Sequence, residues 1–302
     1  MLMLSRRSPR SVIIKLNSGP RYRIPSYLFS IGDLESLDLE NCIISLPRVF
    51  QGFKSLTDLS LENFSSRDMD IQTLISSCPV LTDLILTSVE GINCLNIQAP
   101  KLEFLNVEGE FEDIKLDAPN LEVAIFSFDH KAKACQSVPI AHDKESYVKQ
   151  LLGSLSDVKT LSFSGCVFRK YLNKGCILMK FRVMFHGLEN IYLGIYIWDQ
   201  RQVSATCSLL QNARNLKMLE LWDQASIKEL TLEMQMDHLV MANVKHFGGL
   251  DYEVDFVAKL LSWAPALEEV KLEWNGETDR SMVLTKLLAL PRVSPTAKII
   301  VT

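Results

Sequence analysis

The sequence predicts an α/β solenoid, a right-handed curved superhelix of strand–turn–helix units with a parallel sheet on its concave side and short helices and irregular turns outside. Three observations predict it. An aliphatic pattern, Leu-x-x-Leu-x-Leu, recurs along the chain with a turn after each copy. The segments between copies carry apolar residues at helical spacing. No single copy has enough apolar surface to bury its own face, so neighbours must stack into one core. The composition agrees: the 302 residues are 47% hydrophobic and 23% charged, which excludes a disordered chain. The length suits two domains as well, but a repeat protein grows by adding units to one core.

The strands come first. Clear copies start at Leu34 (LESLDL), Leu56 (LTDLSL), Leu81 (LTDLIL) and Leu102 (LEFLNV), and degenerate ones at Leu121, Val158, Leu188, Leu216, Leu239 and Leu267. Their starts are separated by 22, 25, 21, 19, 37, 30, 28, 23 and 28 residues, and an extra strand-like copy begins at Ile227. Within each copy the period-2 pair, such as Leu37 with Leu39 or Leu219 with Leu221, marks a strand with one buried face, while the first Leu turns inward from the preceding bend. One strand per ~20–29 residues is the leucine-rich-repeat signature.

The connectors follow. Ile71, Leu74 and Ile75 before Pro79, and Cys207, Leu209 and Leu210 before Asn215, fall at helical spacing. In two short units a strand-like triplet replaces the helix: Leu95-NIQAPKLEFLNV superposes on Ile114-KLDAPNLEVAIF at a 19-residue offset, Ala99-Pro100 lying on Ala118-Pro119. Residues 129–150 interrupt the pattern with polar residues and Pro139, and read as an insertion loop leading into a helix near Lys144 to Gly153. Residues 1–10 read as a disordered basic N-terminus, 11–238 as repeats containing that insertion, and 239–302 as a C-terminal repeat module.

Several function classes are disfavoured. A net charge of −4 gives no global attraction for nucleic acid or an anionic membrane, and no apolar run approaches the ~20 residues of a membrane span. Seven cysteines without a CxxC pair, and an N-terminal MLML cut off by Arg6 and Arg7 before it can serve as a secretory segment, point to a reducing compartment, cytoplasmic or nuclear. Cys42 and Cys78 read as small buried hydrophobes. The carboxylate-free stretch with Arg6, Arg7, Arg10, Lys15, Arg21 and Arg23 resembles a nuclear-localisation or nucleic-acid patch, but reads more simply as a solubilising edge or the place where another repeat once stacked. HExxH, GxSxG, GxxxxGK[ST] and GxGxxG are all missing, so no catalytic residue is assigned. His130, Cys135 and His142 offer zinc-type donors beside Asp129 and Asp143, yet His-x4-Cys-x6-His matches no zinc framework. A solvated loop explains them, and no metal or cofactor is expected.

The third, fifth and seventh positions of each copy point away from the core, onto the concave face. Eleven of these 33 residues are acidic: Asp38, Glu40, Asp58, Glu62, Asp83, Glu108, Glu220, Glu229, Glu233, Glu269 and Glu273; Lys245 and Lys271 are basic. Between the acidic ends, in chain order, lie Ile85, Phe104, Val123, Ile125, Tyr192, Met218 and Trp222. Aromatic and Met side chains on a flat sheet are what protein interfaces enrich. The alternatives are chance apolar residues on degenerate repeats, or residues that a C-terminal segment covers. The candidate protein-binding set is Asp38, Asp58, Glu62, Asp83, Ile85, Phe104, Ile125, Tyr192, Met218 and Trp222.

Several strings carry a family resemblance: Arg21-YRIPSYLFS, Leu37-DLENC, Cys78-PVLTDLIL, Ala99-PKLEFLNVEG, Asp117-APNLEVAIF, and the C-terminal Leu239-VMANVKHFGGLDYEVDFVAKLLSWAPALEEVKLEW. Over residues 11–302 the chain resembles the plant F-box/leucine-rich-repeat proteins, its last stretch being similar to their FBD-type module. The resemblance implies a non-catalytic interaction module, the substrate-recognition part of an SCF ubiquitin-ligase receptor, with a target protein on the concave face. Family members usually begin with an F-box that docks on a Skp-type adaptor, whereas residues 1–20 show no such helical pair. Adaptor binding is therefore expected only with an upstream F-box. The alternatives are a small-ligand-sensing receptor, against which the acidic face argues, and an F-box-less scaffold or decayed copy.

Overall fold

The computed structural model describes residues 9–16, 18–109, 111–127, 145–164, 183–195, 206, 209–223 and 235–302. The N-terminus up to Ser8, most of the insertion loop with His130, Cys135 and His142, the copy at Ile227 with Glu229 and Glu233, and Cys166, Cys176 and Cys207 lie outside these residues. Contacts divide the chain into two compact units, Met1–Lys133 with Ser146–Leu155, and Ala134–Glu145 with Ser156–Thr302. They are called unit 1 and unit 2 below.

Among its described residues unit 1 holds ten strands: β1 (Ser11–Lys15), β2 (Tyr22–Arg23), β3 (Ser36–Glu40), β4 (Cys42–Ile43), β5 (Asp58–Glu62), β6 (Asp83–Val89), β7 (Cys94–Gln98), β8 (Phe104–Gly109), β9 (Asp113–Asp117) and β10 (Val123–Ser127). Six of them, β1, β3, β5, β6, β8 and β10, pair in that order, all parallel. The register sets one Leu-x-Leu pair beside the next, so Leu37, Leu59, Leu84, Leu105 and Ala124 form one column and Leu39, Leu61, Leu86, Val107 and Phe126 another. All ten are buried, as are the leading Leu34, Leu56, Leu81, Leu102 and Leu121. At about 1.5–3 kcal/mol for each buried aliphatic side chain, these columns are what holds the unit together.

The connectors form as their sequences dictate. Helix α1 (Asp68–Ser76) opens on the acidic Asp68 and Asp70 at its positive end, buries Ile71, Leu74 and Ile75 on one stripe, and stops ahead of Pro79. Where the helix is replaced by a triplet, β7 and β9 pair as a small parallel sheet. Helix α2 (Glu145–Ser154) stands where the sequence predicts a helix after the insertion.

Unit 2 repeats the plan with β11 (Thr160–Phe163), β12 (Asn190–Ile195), β13 (Met218–Asp223), β14 (Met241–Phe247), β15 (Glu269–Trp274) and β16 (Lys298–Val301), again parallel and in chain order. Its columns are Leu161, Ile191, Leu219, Ala242, Val270 and Ile299, and Phe163, Leu193, Leu221, Val244, Leu272 and Val301. Helix α3 (Asp251–Trp263) buries Val254, Val257, Leu260 and Leu261, and helix α4 (Arg280–Leu288) is capped by Asp279, which accepts from the Ser281 and Met282 N–H groups at 2.9 and 3.4 Å. The Glu253 carboxylate reaches back to the Gly248 and Leu250 N–H groups at 3.0 and 2.7 Å, and burial pushes its pKa up. A Cβ at Gly276 would run into the Gly248 carbonyl, so only glycine permits that approach.

Two main-chain devices recur. At the second position of a copy, one carbonyl accepts two N–H groups from the next copy: Glu35 O takes Thr57 and Asp58, Thr57 O takes Thr82 and Asp83, Glu189 O takes Lys217 and Met218. At the eighth position the chain turns in the left-handed region, at Asn41 (φ 57), Asn63 (φ 46), Ser88 (φ 52) and His246 (φ 57). Asparagine tolerates that turn and also joins it to its neighbours. Asn63 Nδ2 donates to Asn41 Oδ1 at 3.2 Å, and Asn41 Nδ2 lies 3.2 Å from both the Leu16 and the Gly19 carbonyls. The Arg21 guanidinium donates to Asn63 O and Oδ1 at 3.2 and 2.9 Å and pairs with Glu90. Cys42 and Cys78 are buried, as expected, and burial pushes their thiols up to about 12 and about 11.

The structure lengthens both ladders beyond the sequence reading. Ser11-VIIK pairs with Ser36-LDLE, and Lys298-IIV pairs with Glu269-VKL, so β1 and β16 are degenerate copies whose leading Leu is missing.

Candidate functional site

On the exposed face of the unit 1 sheet, register converts chain order into rows. The third-position row reads Ser36, Asp58, Asp83, Phe104, Val123, and the fifth-position row Asp38, Ser60, Ile85, Asn106, Ile125. In the seventh-position row Lys15, Glu40, Glu62 and Thr87 follow one another. Two carboxylate pairs, Asp58 with Asp83 and Glu40 with Glu62, thus stand on neighbouring strands about 4.8 Å apart. Asp58 and Glu62 are exposed, while Asp38, Asp83, Ile85, Phe104 and Ile125 are half-buried. Lys15 Nζ lies 2.8 Å from Asp38 Oδ2, and that hydrogen bond, reinforced by the carboxylate's charge, raises the Lys15 pKa. The other oxygen, Asp38 Oδ1, is buried and has no hydrogen-bond partner.

The unit 2 face is arranged differently. Tyr192 stacks on Trp222 with ring centroids 6.3 Å apart and planes 27° from parallel, and Lys245 Nζ sits 5.5 Å from the Trp222 ring centre. Lys245 also binds Glu220 Oε1 at 2.7 Å, a hydrogen bond that raises its pKa above the usual lysine range. Asn243 Nδ2 donates to Glu220 Oε2 at 2.9 Å. Met218 stands in register between Asn190 and Met241. The three candidates in this unit, Tyr192, Met218 and Trp222, are half-buried, as is Glu220.

The ten candidate residues therefore divide between two faces. Asp38, Asp58, Glu62, Asp83, Ile85, Phe104 and Ile125 stand on strands of unit 1, and Tyr192, Met218 and Trp222 on strands of unit 2. Sequence reasoning missed Lys15 and Ile13, the latter 66% exposed, because β1 has no leading Leu; the alternation in Ser11-VIIK was the available signal. It also left Asn243 without a role, although Asn243 donates to both Glu220 and, at 3.5 Å, Glu273.

Within unit 2, a groove of about 610 Å³ runs past the N-terminal ends of β11–β14 and is lined by Asp157, Lys159, His186, Glu189, Lys217, Asp237 and His238. Charges of both signs alternate there, and Lys217 pairs with Glu189 at 2.8 Å, so the lining favours no ion of one sign. Among the described residues no three His, Cys, Asp or Glu side chains cluster to hold a metal, and no helix is long and apolar enough to cross a membrane.

Residues 11–221 match the family described as "FBD-associated F-box protein At5g56370, LRR repeats". The chain is 27% identical to the F-box/FBD/LRR-repeat protein At1g13570 of Arabidopsis thaliana over 99% of its own length and 74% of that protein. It is 24% identical to F-box/LRR-repeat protein 13 of the same plant, over 92% of its length and 70% of the relative. A third relative, the FBD-associated F-box protein At5g22730, is 25% identical, and there the chain spans 60% of the relative's length. Matched repeats, their in-register parallel ladders and these relatives agree: the chain belongs to the plant F-box/FBD/leucine-rich-repeat family.

Proposed function

We propose that this chain is a non-catalytic protein-interaction module, the substrate-recognition part of an F-box-type receptor that presents a target protein to an SCF ubiquitin ligase. The family supports the class, and one observation carries the site. Positions that a purely solvated strand would fill with polar groups hold the half-buried Phe104, Ile85 and Ile125 in one unit and Tyr192, Met218 and Trp222 in the other. Side chains of this kind contribute most of the affinity when a partner covers them. In this reading residues 11–238 supply the repeats and 239–302 an FBD-like module, in the cytoplasm or nucleus. Nucleic acid and membrane are not partners, and contact with a Skp-type adaptor belongs to an F-box rather than to the repeats.

The test joins the chain to an F-box, captures targets from plant extract, and offers them to a reconstituted ligase. Wild type should retain and ubiquitylate a target that Phe104→Ala and Trp222→Ala, folded by circular dichroism, release with a loss of ~2 kcal/mol or more at an anchor. Capture indifferent to both changes removes the sheet faces as the site. Adaptor retained by residues 1–302 without the added F-box overturns the assignment of that contact.

A further inference from the structure

Resting on the reading of the sheet faces as protein-binding surfaces, we propose that the unit 1 face selects a short extended segment that is cationic in one half and apolar in the other, and rejects the same segment once it is phosphorylated. The charge arrangement is the first reason. Glu40 beside Glu62, and Asp58 beside Asp83, place like charges on adjacent strands, and repulsion of this kind is relieved when a cation bridges them. The face's own cation, Lys15, is bound to Asp38 at 2.8 Å and also flanks Glu40, so Asp58, Glu62 and Asp83 have no cation as cross-strand neighbour. Among the described residues no other Lys or Arg stands at a third, fifth or seventh position of this sheet.

The second reason is where the apolar residues begin. Phe104 is the direct neighbour of Asp83 on one side and of Val123 on the other, with Ile125 two residues further along the same strand as Val123. Crossing the sheet from β3, in the third- and fifth-position rows the carboxylates occupy the first strands and the apolar side chains the last, while in the seventh-position row Glu108 stands on β8. From β3 to β10 there are four inter-strand steps, about 19 Å at ~4.8 Å each, which an extended chain at ~3.3 Å per residue crosses in about six residues. A wholly apolar segment would cover the carboxylates without pairing them, and an acidic or phosphorylated one would add repulsion. Two or three Lys or Arg followed by large apolar side chains meet both halves.

The test pans a random heptapeptide display library against the whole chain, then measures synthesised winners by fluorescence anisotropy. Winners should be basic in one half and apolar in the other. The double variant Asp58→Lys, Glu62→Lys and the single variant Phe104→Ala should each weaken them by about tenfold or more, the first effect shrinking as salt rises. Phe104→Leu, a milder change, should keep most of the binding, and a phosphoserine placed among the basic residues should lower affinity by about tenfold or more. Neutral or acidic winners that are nevertheless lost on Phe104→Ala overturn this selectivity while leaving the face as a binding site. No enrichment, or winners insensitive to every variant, overturns both.

Discussion

The strands of the two units use the same positions for their exposed faces and treat charge in opposite ways. In unit 2, Glu220 is held between Lys245 and Asn243, and Lys245 in turn lies against the ring of Trp222. In unit 1, carboxylates stand next to carboxylates, and among the described residues the one lysine on the face binds Asp38. The cores beneath are alike, each a pair of in-register aliphatic columns. Stability therefore constrains the columns and leaves the face free to differ in charge: in unit 2 Glu220 is paired with Lys245 and Asn243, although the buried Asn243 Oδ1 has no hydrogen-bond partner, whereas in unit 1 carboxylates neighbour carboxylates.

The contrast is sharpened first at the core, where the largest effects lie. Leu84→Ala in unit 1 and Leu221→Ala in unit 2 each remove a fully buried side chain and should each cost about 3 kcal/mol in urea unfolding. A loss under about 1 kcal/mol in either unit would show that the two columns are not equivalent. On the faces the signs should diverge. Glu220→Ala leaves Lys245 and Asn243 without their shared acceptor and should cost about 2 kcal/mol, whereas Asp58→Ala removes one member of a like-charge pair and should leave stability unchanged or slightly higher. Equal losses from both would erase the distinction.

A buried carboxylate offers a pH handle on unit 2. Burial raises the Glu253 pKa above the ordinary glutamate value, so the folded state holds its proton longer than the unfolded state does as pH rises. The stability this group contributes is present below the unfolded value and declines as pH climbs through the raised folded one. Wild type compared with Glu253→Gln across mildly acidic pH should show that decline; a difference that is flat, or that grows with pH, would mean the Gly248 and Leu250 hydrogen bonds outweigh burial. The smallest effect returns to unit 1. Asp58→Lys should turn a repulsive neighbour of Asp83 into an attractive one, raising stability by a few tenths of a kcal/mol at low salt and by less at high salt.

Most of the fold was legible because the repeat writes it twice, in the spacing of three then two and in the need to stack. Leu34, Leu56, Leu81 and Leu102 located β3, β5, β6 and β8, and the paired triplets at Leu95 and Ile114 located β7 and β9. The end strands escaped because β1 and β16 lack the leading Leu, and an isolated four- or five-residue alternation is too short to distinguish from chance. The site was legible as a set of outward positions and illegible as a network. Which carboxylate has a partner depends on register between strands far apart in sequence, as with Glu220, Lys245 and Asn243, and no local pattern encodes that. Chain order suggested acidic groups at both ends of one face, and it gave no sign that Glu273, in the described part of the C-terminal group, accepts from Asn243 at 3.5 Å.

The shared second-position carbonyl has a consequence for how such a protein can change over time. Thr57 O, Thr82 O and Glu189 O each hold two N–H groups of the following repeat, and carbonyls are common to every amino acid. The joint between repeats is thus blind to the identity of the side chains it carries, and it fixes the starts of two strands without fixing the length of chain between them. Copies from 19 to 37 residues apart can therefore be inserted, lost or exchanged while the row of outward residues beside them mutates independently. A lineage that must track changing targets can rewrite its recognition surface one residue at a time, and a designer can randomise those same positions on this scaffold, without asking the stack to fold anew.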